Sequence, residues 1–330
     1  MFETPFHQKD ISNTSFLITG GAGFIGSNIV DYLLKYNAKK VRVLDNLSTG
    51  FEVNLEKHKE NDRFEFFKGD ISRYQDCLEA LQNIDFVSHQ AALGSVPRSL
   101  ANPIANNESN VTGFLNLISA ARERQVKRIV YASSSSVYGD SADLPKKEES
   151  IGNPLSPYAV SKYTNELYAR VAYLNYGQEI IGLRYFNVFG PHQSPKGAYA
   201  AVIPLFIEAL QKKQAPFING NGEQSRDFTF VENAVQANVK ALLTENKEAF
   251  GEVFNIGYGK QYSLLELYDL IKNQIGVEVA PVHREERKGD VKHSLADISK
   301  AKKTIEYNPQ INLVSGLKQT IEWFSKKGKV

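Results

Sequence analysis

The chain has 330 residues, 42% of them hydrophobic, and a formal net charge of +2. This suits one large or two ordinary domains with a real core and gives no electrostatic case for a nucleic-acid partner. Cys77 is the single cysteine and the six histidines show no ligand spacing, so neither an internal disulfide nor a metal site is expected. The first residues carry no signal pattern and no apolar run nears the ~20 residues that span a bilayer, so a cytoplasmic protein with no membrane partner is expected.

In chain order, residues 1–14 read as an N-terminal extension. Short β-branched or aromatic runs then predict strands at 16–19, 41–45, 64–68, 86–90, 128–134 and 180–186, separated by amphipathic helices such as 27–36. The alternation predicts an α/β fold with a doubly wound parallel-sheet Rossmann domain over 15–190. After Gly190 the chain reads as loop-rich to residue 227, with Pro-Lys-Gly and Asn-Gly-Asn-Gly turn signals. A strand at 252–256, a helix at 264–275 and a terminal helix around 316–325 follow. Residues 229–257 are expected to pack back on the first domain, while 191–228 and 258–330 form a smaller mixed α/β C-terminal substrate domain.

Gly20-Gly21-Ala22-Gly23-Phe24-Ile25-Gly26 follows the first strand and opens a helix. It satisfies Gly-x-Gly-x-x-Gly through Gly21, Gly23 and Gly26, and Gly-x-x-Gly-x-x-Gly through Gly20, Gly23 and Gly26. Glycines there let backbone amides approach a pyrophosphate at a helix N-terminus. Asp45 ends the next strand about 20 residues on, where an acid accepts hydrogen bonds from ribose hydroxyls. It would repel a 2′-phosphate, and Asn46, Leu47, Ser48, Thr49 and Gly50 offer no basic side chain, so NAD is expected rather than NADP. Asp70 and Ile71, and Gln90, Ala91 and Ala92, fall at the carboxyl ends of strands, where a ligand crevice opens in such sheets.

Tyr-x-x-x-Lys occurs at Tyr36–Lys40, Tyr158–Lys162 and Tyr268–Lys272. Only the middle copy has a serine run, Ser133 to Ser136, one strand and one loop upstream. Ser156 reads as an N-cap and Pro157 as the first helical residue, which puts Tyr158 and Lys162 on one face. Val160, Leu167, Val171 and Leu174 form a stripe across from that pair, expected to anchor the helix and leave Tyr158 and Lys162 in an open cleft. A free tyrosine is a poor base at neutral pH, but a nearby ammonium and a positive nicotinamide favour its phenolate. With Ser134 positioning a hydroxyl, the set suits a redox enzyme, or an isomerase working by transient oxidation.

These motifs, with Ser133 to Gly139 and Arg184-Tyr185-Phe186-Asn187-Val188-Phe189-Gly190, resemble the extended short-chain dehydrogenase/reductase superfamily, and within it the nucleotide-sugar 4-epimerases. The stretches 92–99 and 290–294 look closest to epimerases acting on UDP-N-acetylhexosamines. The resemblance implies tightly held NAD, contacted by Gly20, Gly23, Phe24, Ile25, Gly26, Asp45, Asn46, Ser48, Thr49, Gly50, Asp70, Ile71, Gln90, Ala91, Ala92, Tyr158, Lys162 and Tyr185. It implies that Ser134, Tyr158 and Lys162 are catalytic, Tyr158 taking the 4-hydroxyl proton while hydride leaves carbon 4. Ser135, adjacent to Ser134, remains a second choice for the serine.

For a UDP-sugar the resemblance implies that Asn187 and Arg226 contact the diphosphate, with Arg287 assisting and Asp290 on the ribose. Phe217, Ile218 and Asn219 would line the uracil, Ser95, Ser134 and Ser135 the sugar, with Ala201 and Val202 alongside. Ser294, where related enzymes restricted to UDP-glucose and UDP-galactose carry a tyrosine, would leave room for an N-acetyl group. A homodimer is implied too. The alternatives are a UDP-hexuronic acid or UDP-glucose 4-epimerase, a nucleotide-sugar dehydrogenase, and a non-catalytic NAD-sensing scaffold. Dehydratase or decarboxylase chemistry is disfavoured because Ser135 and Ser136 stand where those relatives carry carboxylates.

Overall fold

A computed structural model of the protein describes residues 1–195, 200–285 and 292–327. Its centre is a parallel sheet of β1 (Ser15–Thr19), β2 (Lys40–Asp45), β3 (Phe64–Lys68), β4 (Phe86–His89), β5 (Arg128–Ser134), β6 (Glu179–Tyr185) and β11 (Val253–Ile256). The strand order is β3-β2-β1-β4-β5-β6-β11. All five residues of β1 are buried, as expected of a strand covered on both faces. The order reverses between β1 and β4, so a crevice opens there at the strands' carboxyl ends.

One face carries α1 (Phe24–Lys35) and α8 (Val231–Leu243); the other carries α2 (Tyr74–Ala80), α5 (Gly113–Glu123) and α6 (Pro157–Tyr176). The first helix starts three residues earlier than its apolar stripe predicts, because the glycine loop itself forms the first turn. Between β4 and α5 lie α3 (Val96–Ala101), α4 (Pro103–Asn107) and one π-helical turn at Glu108–Thr112.

A separate apolar core forms around α7 (Val202–Gln211), α9 (Leu264–Ile275) and α11 (Leu313–Lys327), with α10 (Ser299–Ile305) set against β11. Short pairs frame it: β7 (Val188–Phe189) with β10 (Thr229–Phe230), β8 (Phe217–Asn219) with β13 (Val282–Arg284), and β9 (Ser225–Asp227) with β12 (Gln261–Ser263). The stretch read as loop therefore contains a helix. Ile203, Phe206, Ile207 and Leu210 are its buried face, a helical spacing hidden among turn residues.

The N-terminal extension is tied down. Phe2 is buried and donates its amide to Glu232, while Phe6 stacks on Tyr32 with 5.0 Å between centroids.

Candidate active site

The glycine loop opens at Gly20, whose φ of +67° suits glycine and where a Cβ would come within 2.6 Å of the Ala91 amide. At Gly26 a Cβ would collide with the Gly20 carbonyl, so the loop folds tightly onto the start of α1. A cavity of about 600 Å³ opens above it. Its wall includes Gly20, Gly23, Phe24, Ile25, Gly26, Asp45, Asn46, Ser48, Thr49, Gly50, Ile71, Gln90, Ala91, Ala92 and Tyr185. Asp45 accepts the Ala22 amide on one oxygen and the Leu47 amide on the other, at 2.9 and 2.8 Å, which aims the carboxylate at the loop. Burial raises its pKa, against the pull of those two amides. Asp70, by contrast, does not reach the wall. Its carboxylate accepts Asn46 Nδ2 at 2.7 Å and the Ser72 amide at 2.8 Å, so it steadies the loop carrying Asn46.

The same cavity ends at Ser134, Tyr158 and Lys162. Ser156 caps α6 by accepting the Ala159 amide, and Pro157 fills the first helical position. Lys162 is 2% exposed and donates to the Ala132 carbonyl at 2.8 Å, with Nζ 5.9 Å from the Tyr158 ring centre. Burial pulls its pKa down to about 8, opposed by the charge of Glu166. Burial raises the Tyr158 pKa, while its hydrogen bond with Ser134 favours the phenolate. Ser134 also accepts the Ser136 amide and hydroxyl. Ser135 begins the next turn and is not on the wall.

A second cavity, about 620 Å³, shares Asn187, Val188, Gln193 and Ala201 with the first. It brings together Val202, Phe217, Asn219 and Arg226. Ile218 points into the apolar core instead. Arg226 donates to the Ser225 and Lys292 carbonyls at 2.9 and 3.1 Å. Asp227, next to it, is fully buried and accepts the amides of Tyr258, Gly259 and Ala296. Burial lifts its pKa to about 6. Ser95 lines the first cavity at φ +104°, a strained conformation for a residue with a Cβ.

Ser294 is not brought to either cavity; its amide donates to the Ser225 carbonyl. Arg287 and Asp290 lie outside the described residues. Among the wall residues to which the sequence reading gave no role are two arginines. Arg98 sits inside the quoted motif 92–99 with no role given, and Arg284 reaches the Phe217 ring, 3.1 Å from its centre, only through the β8–β13 pairing.

The expected anchoring stripe of α6 is a correction. Val160, Leu167, Val171 and Leu174 are 51, 52, 49 and 63% exposed. The helix instead buries Ala159, Ser161, Lys162, Asn165, Glu166, Ala169 and Ala172. Small and polar side chains let it lie close to β5 and β6, and the aliphatic stripe turns outward.

Strand order, glycine loop and Asp45 define a doubly wound dinucleotide-binding protein, and the paired tyrosine and lysine beside that crevice define one equipped for proton transfer. The chain belongs to the NAD dependent epimerase/dehydratase family, whose sequence profile matches residues 16–257, and its cofactor is NAD. A UDP-N-acetylglucosamine 4-epimerase from Methanobrevibacter ruminantium, solved with UDP-N-acetylmuramic acid, is 38% identical with a TM-score of 0.90, over 95% of this chain and 99% of that one. A UDP-glucose 4-epimerase from Thermotoga maritima, solved with UDP-glucose, is 36% identical with a TM-score of 0.89 over the same shares, 95% and 99%. A UDP-glucuronic acid 4-epimerase from Bacillus cereus, solved with UDP-glucuronic acid and NAD, is 31% identical with a TM-score of 0.88, over 95% and 100%. Among the described residues no cluster of acidic, histidine or cysteine side chains could hold a metal, and no helix is long and apolar enough to cross a membrane.

Proposed function

We propose that the protein is an isomerase, an NAD-dependent UDP-sugar 4-epimerase, and that its substrates are UDP-N-acetylhexosamines, UDP-GlcNAc and UDP-GalNAc. The observation carrying the class is the junction of two cavities: one has the dinucleotide loop, Tyr158 and Lys162, and the other has Arg226 and Phe217. A nucleotide sugar with its diphosphate on the Asn187–Arg226 side lays its sugar against Tyr158. Arginine suits that end because its fork can donate two hydrogen bonds to phosphate.

In this reading Tyr158 accepts the 4-hydroxyl proton as phenolate and returns it after the sugar has turned over as a 4-keto species. Ser134 holds that hydroxyl, and the Lys162 ammonium keeps the phenolate accessible. NAD, when bound, supplies the hydride acceptor and donor for carbon 4 and a positive charge beside the phenol. The residues fit the cofactor: Gly20 and Gly26 line the cavity above α1, and a side chain at either position would collide with neighbouring backbone.

The N-acetyl preference is supported by motifs 92–99 and 290–294 and by the Methanobrevibacter neighbour. One observation favours a second reading, the UDP-hexuronic acid: Arg98 shares the wall with Ser95 and Ser109 and could face a sugar carboxylate. A panel of UDP-sugars incubated without added NAD, with products resolved by chromatography, tests both. Interconversion of UDP-GlcNAc and UDP-GalNAc is expected; turnover of the uronic acid pair alone would favour Arg98, and no reaction until NAD is supplied, with NADH then accumulating, would mean a dehydrogenase.

A homodimer in the cytoplasm completes the proposal. The outward stripe of α6 lies beside α3 and α4, where Leu100 and Ile104 are 61 and 79% exposed, and an apolar patch of that kind calls for a partner surface.

A further inference from the structure

Tyr158, Lys162 and Glu166 follow one another at four-residue spacing on one face of α6. The helix faces consecutive residues at the end of β5. Lys162 donates to the Ala132 carbonyl and Glu166 accepts the Ser133 hydroxyl, while Tyr158 shares the cavity wall with Ser134. Two successive turns of the helix thus hold two consecutive residues of the strand, and the turn before them faces the third. Glu166 is not on the cavity wall, so whatever it does for the reaction passes through the other two.

Behind Glu166 the sheet supplies a lateral row. Arg184 on β6 lies opposite Ser133 on β5 and opposite Asn255 on β11. Its guanidinium donates to both oxygens of Glu166, at 2.9 and 2.8 Å, and to Tyr138 and the Glu148 carbonyl, at 3.0 Å each. Tyr138 passes its hydrogen to Asn255 at 2.6 Å, and Asn255 donates to the Lys146 and Asp297 carbonyls. Both members of the ion pair are 5% exposed. A buried pair of this kind adds little net stability over an apolar replacement, so its presence beside the proton-transfer groups asks for another account.

We propose that Glu166 is a positioning residue of the reaction: held by Arg184, it fixes Ser133 and so the main chain that sets Ser134 against Tyr158, and its charge supports the Lys162 ammonium one turn back. This rests on the reading of Tyr158 and Lys162 given above. The titratable groups facing Lys162 are Tyr158 and Glu166 on α6 and His89 on β4; those facing Glu166 are Arg184 on β6 and Tyr131 on β5. Burial keeps His89 neutral and Tyr131 protonated. The other charges on helices packed beside α6 lie elsewhere: Arg98 at the cavity, Glu108 in solvent, Arg122 over the Tyr176 ring at the far end of α6, and Glu123 on the Tyr74 hydroxyl. In the neutral range the local field at Lys162 is therefore set by Glu166 and its arginine.

The test uses the full chain with its NAD and compares Glu166→Gln, Glu166→Asp and the paired Glu166→Gln/Arg184→Met, which avoids a lone buried guanidinium. Expected for Glu166→Gln, or for the pair if the single variant does not fold, are bound NAD retained, KM for the UDP-sugar little changed, and kcat lowered about 10- to 100-fold. Removing the negative charge also moves the alkaline limb of kcat toward lower pH, by roughly half a unit or more in Glu166→Gln. Glu166→Asp keeps the charge and restores that limb. Wild-type kcat with an unmoved limb in the folded variants would overturn the proposal, as would an equal loss in Glu166→Gln and Glu166→Asp with neither limb moved, the signature of a purely structural pair. Tyr158→Phe, run alongside, separates the two levels: if it is inactive while Glu166→Gln is normal, only this inference fails, and if it stays active both fail.

Discussion

At the scale of single residues, Tyr158 is the centre. Its phenol faces the cavity beside Ser134, with an ammonium on the next turn. Tyr158→Phe should keep the fold and NAD but lose at least ~100-fold in rate, the scale for removing a general acid–base group; turnover like the wild type's would refute the role. The Lys162 pKa of about 8 sets a sign for pH dependence. Below it the ammonium favours the phenolate; as pH rises through it that support is lost, so kcat should decline on the alkaline side. A profile flat to pH 10 would contradict this. Asp45 is expected to select the cofactor: denaturing the purified protein and weighing what it releases should give NAD, and NADP as the main species would overturn the reading.

At the scale of elements, the legible and the illegible divide by how each element packs. The inner strands of the central sheet, such as β1 with all five residues buried, were readable because burial on both faces favours continuous apolar runs. The glycine loop was readable because a tight turn under a helix N-terminus demands glycine at fixed spacing. The face of α6 was not. Its aliphatic spacing is truly helical, but the helix seats itself with alanines and its polar grip on β5, which periodicity does not weigh. That outward stripe predicts a dimer by sedimentation, and Val171→Asp with Leu174→Asp should yield a monomer that still holds NAD; a monomeric wild type would dismiss it. The extension was readable only as a prefix, since nothing in its spacing shows Phe2 buried beside α8. Phe2→Ala should cost about 3 kcal/mol in a denaturant titration, as core aromatic truncations do; a change within 0.5 kcal/mol, the scale of an ordinary surface substitution, would show that the extension is not anchored.

At the scale of the whole molecule, a parallel sheet places cofactor chemistry at its switch point, and the smaller core carries a second cavity to the same spot. The sequence showed the frame of the first cavity, the glycine loop, Asp45, Ile71 and residues 90–92, because these follow strand ends in order. It showed the second only through resemblance, because β8, β9 and β13 are short and their partners distant in sequence. Arg284 on Phe217 exists only once that pairing is made. The measurement that tests the central claim most directly is turnover of UDP-GlcNAc by the purified protein with no NAD added. The account predicts an equilibrium mixture with UDP-GalNAc and no free NADH. No interconversion of any UDP-sugar, or stoichiometric NADH that requires added NAD, would contradict it.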